Sequence, residues 1–291
     1  MSVNFNQKSQ KKPRVAHSQK SKTKGPNKSL GQHWLRDREI LDGIAASAEI
    51  ENGDFVLEIG PGLGTLTSSL LKFSGDSGKV LAVEFDENLA EKLPAQFPGK
   101  NLEVVNADFL EFDLSTLPKN YKVAANVPYY ITSKIVEKLL TSANKPAVAA
   151  LLVQKEVAER MVASAGDLSI LAIATQIYAS AELGDLVPRE FFTPPPKVDS
   201  QVVILKTRKQ NLLDEFNQKT GAKLTEKQFF RVVKAGFTAK RKKISTSLSA
   251  NLAIDKQKIV SMLEKCQISP DLRAQDLTIE NWLELTNSLI K

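Results

Sequence analysis

Four consecutive residues, Asn126-Val127-Pro128-Tyr129, could grip a flat ring that carries an amino group. The Asn126 side-chain oxygen and the Pro128 backbone oxygen can each accept one N–H of that amine, while Tyr129 stacks on the ring. An amine held by two acceptors is less conjugated with its ring and is therefore a better nucleophile. Asn and Pro are also common turn residues, so the tetrapeptide taken alone is more typical of a strand-end turn.

A glycine-rich turn lies in the segment VLEIGPGLGTLT, Val56 to Thr67, between an apolar run and the start of a helix. Glycine lets the backbone turn tightly and approach a ligand closely, here at Gly60 and Gly62. The dinucleotide fingerprint needs a glycine three residues after its second one, and that position is Thr65. The spacing G-x-G-x-G, preceded by Glu58, therefore favours S-adenosylmethionine over NAD and argues against a NAD-dependent oxidoreductase.

Two acids follow at the ends of the next two predicted strands. Glu84 can accept both ribose hydroxyls of an adenosyl ligand. Asp108 can accept from the adenine amino group, while Phe109 or Ala107 flanks the ring. Each acid alone is typical of a cap or a turn. Because ligands bind at the carboxyl ends of parallel strands, the glycine-rich turn and the two acids together predict a methyl-donor site.

The elements that must position these residues are short apolar runs alternating with amphipathic helical stretches between residues 54 and about 205. The predicted strands are Phe55–Ile59, Val80–Glu84, Leu102–Asn106, Val123–Ala125, Ala147–Val153 and Val202–Lys206. A helix is predicted over residues 36–49, ahead of the first strand. The alternation predicts βαβ units and therefore an α/β fold with a doubly wound, mostly parallel sheet.

The strand signal stops after about residue 207. The segments 210–219, 225–239, 255–265 and 279–290 are predicted helices, which indicates a small all-helical C-terminal domain. We therefore predict three parts. They are a disordered basic tail over residues 1–27, a Rossmann-like methyltransferase domain over residues 28–207, and a helical RNA-binding domain over residues 208–291.

The net charge of +7 over 291 residues belongs to the tail. Residues 1–28 contain eight Lys or Arg and no acid, so the rest of the chain has 32 basic and 33 acidic residues. The tail could be a polyanion-binding arm or a solubilising extension. One cysteine and two histidines make a zinc site of the usual kind improbable, so no metal is expected. The cysteine usage suits a reducing compartment, and no run is apolar enough for a membrane span.

Aromatic and basic residues elsewhere could complete an RNA site. In FFTPPPKVDSQVVIL, starting at Phe191, the prolines predict an extended loop. We expect Phe191 to pack in the core and Phe192 to form the second face of a base sandwich opposite Tyr129. Trp34 is expected to staple the first helix. Residues 229–244 hold six basic residues and no acid, which is typical either of a solvated helix end or of phosphate contacts, and favours the latter. They are Arg231, Lys234, Lys240, Arg241, Lys242 and Lys243.

These motifs, in this order, resemble the ribosomal RNA small-subunit adenine N6,N6-dimethyltransferase family of the KsgA type, from about Lys28 to Ser247. The resemblance implies that six residues contact S-adenosylmethionine, namely His33, Leu35, Gly60, Glu84, Asp108 and Asn126. The family often has Asn-Phe where this chain has His33-Trp34. Its basic stretch usually carries paired arginines, whereas this chain reads Ala-Lys-Arg-Lys-Lys at residues 239–243.

The resemblance also implies a reaction, which is dimethylation of two adjacent adenosines near the 3′ end of small-subunit (16S) rRNA. It further implies a pre-30S particle as the partner and a monomeric, cytoplasmic enzyme. Two alternatives remain, a large-subunit (23S) rRNA adenine methyltransferase of the macrolide-resistance type and a ribosome-assembly RNA-binding factor. The match over Lys28–Asp37 and Val153–Met161 favours the small-subunit enzyme, and the intact motif Asn126–Tyr129 argues against lost catalysis.

Overall fold

This computed structural model describes residues 33–290 of the chain. That part contains nine strands and eleven α-helices. The strands are β1 (Trp34–Leu35), β2 (Phe55–Ile59), β3 (Lys79–Glu84), β4 (Leu102–Asn106), β5 (Lys122–Asn126), β6 (Val148–Gln154), β7 (Ala179–Val187), β8 (Phe192–Thr193) and β9 (Ser200–Thr207). The helices are α1 (Arg38–Ser47), α2 (Thr65–Ser74), α3 (Glu87–Lys92), α4 (Thr132–Thr141), α5 (Lys155–Val162), α6 (Ile170–Gln176), α7 (Leu212–Thr220), α8 (Glu226–Phe237), α9 (Ile244–Leu252), α10 (Lys256–Lys265) and α11 (Ile279–Ile290). The predicted tail over residues 1–27, and residues 28–32, lie outside the described part.

Seven of these strands form one sheet in the order β4-β3-β2-β5-β6-β9-β7. The pairs β3–β4, β2–β3, β2–β5 and β5–β6 are parallel, while β9 is antiparallel to both of its neighbours. The order reverses between β2 and β5, so the chain winds first to one side of β2 and then to the other. The prediction of a doubly wound, mostly parallel α/β sheet is confirmed.

Both faces of the sheet are buried, and neighbouring strand residues alternate between two apolar clusters because side chains point to opposite faces. Val56 and Val80 pack with the first two helices on one face, whereas Leu57 and Leu81 belong to the larger cluster on the other face. That larger cluster contains residues of α4, α6 and the C-terminal helices. The carboxyl ends of the parallel strands therefore form an edge that the helices do not cover.

All six predicted strands are confirmed, with ends that agree within two residues. The sequence prediction missed β7, whose acids and Gly184 weaken the apolar pattern at a sheet edge and whose register shifts between Leu183 and Leu186. It also missed the two-residue ladder β1–β8, which is too short to give a pattern. The helix α9 escaped prediction because its sequence, ISTSLSANL, is rich in poor helix formers.

The C-terminal helices pack against one another around Trp282, whose ring stacks on Phe237 at a centroid distance of 5.6 Å. A Cβ at Gly236 would lie 2.4 Å from the Trp282 ring, so only glycine allows this close approach between α8 and α11. The helices predicted at 210–219, 225–239, 255–265 and 279–290 correspond to α7, α8, α10 and α11. Within residues 33–290 no helix is long and apolar enough to cross a membrane.

Candidate active site

A pocket opens at the carboxyl ends of β2, β3, β4 and β5. Nine of the ten predicted catalytic and donor-binding residues line it, and they come from segments as far apart as His33 and Tyr129. These nine are His33, Leu35, Gly60, Gly62, Glu84, Asp108, Asn126, Pro128 and Tyr129. Parallel strands bring their carboxyl ends to one edge, so residues separated by about 20 positions in sequence become neighbours.

The glycine-rich turn has left-handed backbone at Gly60, Gly62 and Gly64, with φ of +67°, +58° and +78°. A Cβ at Gly60 would meet nothing within 4 Å, so that glycine leaves open space for a ligand to approach the backbone. A Cβ at Gly64 would lie 2.5 Å from a Leu93 methyl group, so that glycine is needed for packing. The loop therefore combines a tight turn with an open approach, as a bound adenosyl ligand requires.

Glu84 ends β3, and two backbone amides hold its carboxylate. The N–H of Gly62 donates to Oε2 at 2.9 Å and the N–H of Asp86 donates to Oε1 at 2.8 Å. Burial raises the pKa of Glu84 above its usual value, against these lowering hydrogen bonds. Each carboxylate oxygen has a second lone pair, so the orientation leaves acceptor capacity for two vicinal hydroxyl groups.

A second acid, Glu58, lies deeper in the same pocket and is 1% exposed. The Thr67 hydroxyl donates to its Oε2 at 2.6 Å. Burial raises the pKa of Glu58 to about 8, and the nearby Glu84 carboxylate raises it further. Glu58 is therefore mostly protonated at neutral pH, which lowers the repulsion between the two acids.

The far end of the pocket is formed by Asp108, which is exposed and follows β4. Its Oδ1 accepts the N–H of Leu110 at 2.8 Å, and no described residue donates to Oδ2. Ala107 and Phe109 both line the pocket, as expected, but the Phe109 ring is buried in the core. Sequence reasoning missed Phe85, a lining residue that is 62% exposed and follows Glu84 directly. Its position directly after an acid at the end of a strand could have indicated that Phe85 lines the pocket.

On the amine side of the pocket, Asn126 ends β5, and its Nδ2 donates to the His33 carbonyl at 3.2 Å. This bond fixes the carboxamide and leaves Oδ1 without a donor from the described residues. The His33 ring stacks on Tyr129 with centroids 5.8 Å apart, and its Nδ1–H donates to the Pro194 carbonyl at 2.7 Å. Asn126 Oδ1 is therefore a fixed acceptor that is open to a ligand.

Tyr129 is held at both ends, since one face of its ring lies against His33 and its hydroxyl bonds Ser200 Oγ at 2.7 Å. Burial raises the pKa of Tyr129, so the hydroxyl stays neutral. The residue also lines the pocket, so a substrate base there can contact it. The next residue, Tyr130, is 65% exposed at the pocket rim and was not assigned a role from sequence.

The Pro128 carbonyl already has donors, unlike the free acceptor that the sequence suggested. It accepts the N–H of Ile131 at 3.2 Å and the Thr132 hydroxyl at 3.4 Å. The reason is that a 3-10 helix, Tyr129–Ile131, and then α4 begin directly after Pro128. The tetrapeptide thus forms a strand-end turn and also lines the pocket. Of the two predicted acceptors, the Pro128 carbonyl has two hydrogen-bond donors, whereas Asn126 Oδ1 has none among the described residues.

The expectations for the two adjacent phenylalanines were wrong. Phe191 is 41% exposed, whereas Phe192 is 2% exposed and pairs with Leu35 in the ladder β1–β8. The 3-10 helix Arg189–Phe191 turns Phe191 outward, and the following extended residue points Phe192 into the apolar cluster under the first helix. Phe192 therefore offers no ring face to the pocket in this structure.

The six predicted RNA-binding residues are all exposed, but none of them lines the pocket. Lys243 forms an ion pair with Asp271 at 2.7 Å, so an acid outside the basic stretch neutralises one of the six. Lys234 lines a second groove, between α4 and α8, which also includes Ser133 near the start of α4. Residues of α6 also line this groove, and it shares no lining residue with the pocket. Within residues 33–290 no cluster of three or more His, Cys, Asp or Glu could hold a metal ion.

The family model and the curated relatives that match this chain point to the same family. Residues 24–291 match the family model of ribosomal RNA adenine dimethylase. The chain is 36% identical over 266 residues to ribosomal RNA small subunit methyltransferase A of Dehalococcoides mccartyi strain CBDB1, covering 89% of this chain and 86% of the relative. It is 38% identical over 279 residues to the protein of the same name from Nostoc sp. PCC 7120, covering 91% and 98%.

Two solved structures resemble the fold over most of both chains. A dimethyladenosine transferase from Plasmodium falciparum matches with a TM-score of 0.70 and 28% identity, covering 87% of this chain and 96% of that one. The 23S rRNA methyltransferase ErmE matches with a TM-score of 0.68 and 29% identity, covering 89% and 100%. Both similarities extend beyond the sheet into the C-terminal helices.

Proposed function

The chain belongs to the ribosomal RNA adenine dimethylase family, and on that premise we propose that it dimethylates adenosines of small-subunit (16S) rRNA. The methyl groups go to the exocyclic amino group, and the proposed targets are two adjacent adenosines near the 3′ end. The observation that carries the proposal is Asn126 Oδ1, which no residue among 33–290 engages and which is held at the end of β5 in a pocket that could take an adenosyl ligand.

The methyl donor is S-adenosyl-L-methionine, which when bound supplies an electrophilic methyl group on its sulfonium. We assign Glu84 to the ribose hydroxyls and Asp108 to the adenine amino group, because each has an acceptor lone pair within the pocket. The exposed Phe85 ring can cover the adenine. Gly60 would leave open backbone for the remaining part of the donor.

Asn126 would hold the adenine amino group by accepting a hydrogen bond from one of its N–H groups, so that the amine faces the methyl group of the donor. The enzyme acts mainly by positioning and electrostatics, so the attacking step needs no side-chain base. The Pro128 carbonyl accepts the second N–H only if it shares its lone pairs with Ile131 and Thr132. In each transfer the new nitrogen–carbon bond would form as the methyl–sulfur bond of the donor breaks, which leaves S-adenosylhomocysteine, and the methylated amine would release one proton to water. One N–H then remains after the first transfer, so Asn126 could hold the monomethylated amine for the second.

The target adenine must leave its stack in the RNA, which costs a few kcal/mol. Stacking on Tyr129, which lines the pocket, can offset part of this cost, since stacking of a base on an aromatic side chain contributes about 1–3 kcal/mol. Because Phe192 is buried, the second face of the base must be covered by another group. Tyr130 is an exposed aromatic residue on the rim that can do so.

The substrate is ribosomal RNA, and we propose that the enzyme acts as a monomer on the pre-30S particle in the cytoplasm. Arg231, Lys234, Lys240, Arg241 and Lys242 are exposed, and no described acid pairs with them, so they can contact phosphates. We propose residues 208–291 as the RNA-binding domain and residues 28–207 as the methyltransferase domain. The basic tail over residues 1–27 would add a further, sequence-independent attraction to RNA.

The test is incubation of the purified protein and labelled S-adenosylmethionine with small subunits that lack this modification, followed by mapping of the labelled bases. Small-subunit RNA should be labelled at two adjacent adenines. Large subunits prepared in the same way serve as the control.

A second candidate is methylation of large-subunit RNA, which the similarity to the 23S rRNA methyltransferase ErmE favours. That structure is 29% identical to this chain, whereas the small-subunit relatives reach 38%. Label confined to the large-subunit RNA would establish this alternative and overturn the proposal. Binding to small subunits without any label would favour a ribosome-assembly factor instead.

A further inference from the structure

A lysine of α4 contacts the turn that follows β4. The Lys138 ammonium group donates to the Leu110 carbonyl at 2.7 Å and lies 5.7 Å from the centroid of the Phe109 ring. Lys138 is partly buried. A lysine normally keeps its charge in water, so an ammonium group held against a backbone carbonyl and an aromatic ring indicates a defined structural role. Lys138 thereby connects α4 with the turn over residues 108–112.

Few hydrogen bonds hold this turn to the rest of the protein. It follows β4, which is an edge strand of the sheet and pairs with β3. The backbone hydrogen bonds of the turn join its own residues, such as the N–H of Phe112 to the Asp108 carbonyl at 3.0 Å. Among residues 33–290, Lys138 makes the one hydrogen bond that links residues 108–112 to a distant part of the chain. The turn is otherwise held by apolar packing, chiefly of the buried Phe109 ring.

Leu110 connects this lysine with Asp108. The Leu110 carbonyl accepts from Lys138, and the Leu110 N–H donates to Asp108 Oδ1 at 2.8 Å. Asp108 is exposed, and an exposed side chain without such contacts samples several rotamers. Asp108 and Leu110 both line the pocket, whereas Lys138 does not. Lys138 therefore acts on the pocket through Leu110.

The helix that carries Lys138 also begins at the amine side of the pocket. Its first residue is Thr132, whose hydroxyl donates to the Pro128 carbonyl at 3.4 Å. Lys138 lies six residues further along the chain, which is about 9 Å along the axis of an α-helix. One short helix therefore contacts both the turn after β4 and the motif Asn126–Tyr129, and it holds the two relative to each other.

Another lysine of the same helix provides a comparison. Lys134 lies one turn before Lys138 and is exposed, and it forms no hydrogen bond or ion pair with the described residues. Such a lysine is typical of the solvated surface of a helix. The contact with the turn therefore depends on the position of Lys138 and is not a general property of the charged surface of α4.

We propose that Lys138 positions the Asp108 carboxylate for the methyl donor, by holding Leu110 between them. This inference rests on the proposed function, in which Asp108 accepts from the adenine amino group of S-adenosylmethionine. A carboxylate that is held in place before binding loses less rotamer freedom when the donor binds, so the affinity for the donor increases. Lys138 is thus a positioning residue for the donor.

The test is a double-mutant cycle on the full chain, with the Kd for S-adenosylhomocysteine measured by titration calorimetry. Lys138→Met keeps an unbranched side chain and loses the charged donor. We expect it to raise the Kd about fivefold in the otherwise unaltered chain, because the Asp108 carboxylate loses its fixed position. In the Asp108→Ala background the same substitution should change the Kd by less than about 1.5-fold, since no carboxylate remains to be positioned.

Two further variants separate positioning from packing. Lys138→Arg keeps a charged donor and should bind S-adenosylhomocysteine within about twofold of the unaltered chain. Lys134→Met makes the same change of charge on the same helix and should leave the Kd unchanged. A Kd that rises as much in Lys138→Arg or in Lys134→Met as in Lys138→Met would overturn the inference.

The cycle also distinguishes failure of the inference from failure of the proposed function. Equal weakening by Lys138→Met in both backgrounds would mean that Lys138 only supports packing, and an unchanged Kd in both would mean that it has no role. Either result overturns the inference alone. If Asp108→Ala binds like the unaltered chain, or if the unaltered chain does not bind the probe, the donor site in the proposed function is wrong and the inference fails with it.

Discussion

The pocket and the C-terminal helical region both carry charges, but they hold them in opposite ways. In the pocket, the Glu84 carboxylate is buried and two backbone amides fix it, and Glu58 is buried beside it. On the helices, the basic residues around Lys240 are exposed, and one ion pair within the described residues, Lys243–Asp271, engages them. The pocket therefore holds its atoms in fixed positions, whereas the exposed basic residues of the helices provide a positive electrostatic field.

This difference indicates a division of labour. A methyl transfer requires the amine, the methyl group and the sulfur in line, so its residues must be held by hydrogen bonds and packing. A large RNA with many phosphates needs only a positive surface at the correct distance, and mobile side chains are sufficient. Substitutions in the pocket should therefore change rate or donor affinity, whereas substitutions on the helices should change RNA affinity.

The largest effect is expected for Asn126→Ala, which removes the acceptor that we propose for the substrate amine at the end of β5. The rate of methyl transfer at saturating substrates should fall about a thousandfold, because the amine loses its alignment. Donor affinity, measured with S-adenosylhomocysteine, should change by less than about threefold. Wild-type turnover in this variant would remove the central residue from the mechanism.

Glu84→Gln should act on the donor instead. It replaces a charged acceptor that also binds the Gly62 and Asp86 amides, so the Kd for S-adenosylhomocysteine should rise about a hundredfold. RNA affinity in a filter-binding assay should not change. Glu103→Gln, at an exposed acid on the neighbouring strand β4, is the control and should leave both affinities as they are. A loss of RNA affinity in Glu84→Gln would contradict the division of labour.

Glu58 makes the stability of the protein depend on pH. Its pKa in the folded protein is about 8, above its ordinary 4.5, so the folded state holds this proton more tightly. The resulting stabilisation is complete below pH 4.5 and is progressively lost as the pH rises to about 8. Denaturant unfolding of Glu58→Gln should show a smaller decrease over this range.

The control for Glu58→Gln is Glu91→Gln on the exposed surface of α3, which should leave the pH dependence of unfolding unchanged. An identical pH dependence in wild type and Glu58→Gln would show that Glu58 is ionised at neutral pH. The pocket would then hold two buried charged acids, and the protonation state that we assign to Glu58 would be wrong.

The smallest effect belongs to the helical region. Replacing Lys240, Arg241 and Lys242 together by glutamine should raise the KM for RNA about fivefold and weaken its salt dependence, with kcat and donor Kd unchanged. The matched control removes three exposed lysines of α10, namely Lys256, Lys258 and Lys265, and should have no effect on KM. If the two triple variants behave alike, the basic stretch has no specific role and only net charge matters.

The sequence was sufficient for those parts of the molecule that depend on local pattern. The apolar runs predicted six strands, and the ends of four parallel strands brought Gly60, Glu84, Asp108 and Asn126 into one pocket. This succeeds because strand direction alone places such residues at a common edge. The identity of each residue then limits the chemistry that it can do.

Long-range contacts were outside the reach of the sequence. The stacking of His33 on Tyr129 and the bond from Asn126 to the His33 carbonyl join segments more than 90 residues apart. Phe191 is exposed and Phe192 is buried, the reverse of the expectation, because Phe192 pairs with Leu35 in a two-residue ladder. Such a short ladder gives no periodic pattern in the sequence. The occupied Pro128 carbonyl depends on where the next helix begins.

The most direct test of the central claim, that this pocket dimethylates the amino group of adenine, is the mass of the product nucleoside. Small subunits lacking the modification are treated with the enzyme and S-adenosylmethionine whose methyl group carries deuterium, and the RNA is digested to nucleosides. The account predicts adenosine with two deuterated methyl groups on N6. Label on another nucleoside, or on a ring nitrogen of adenine, would contradict it.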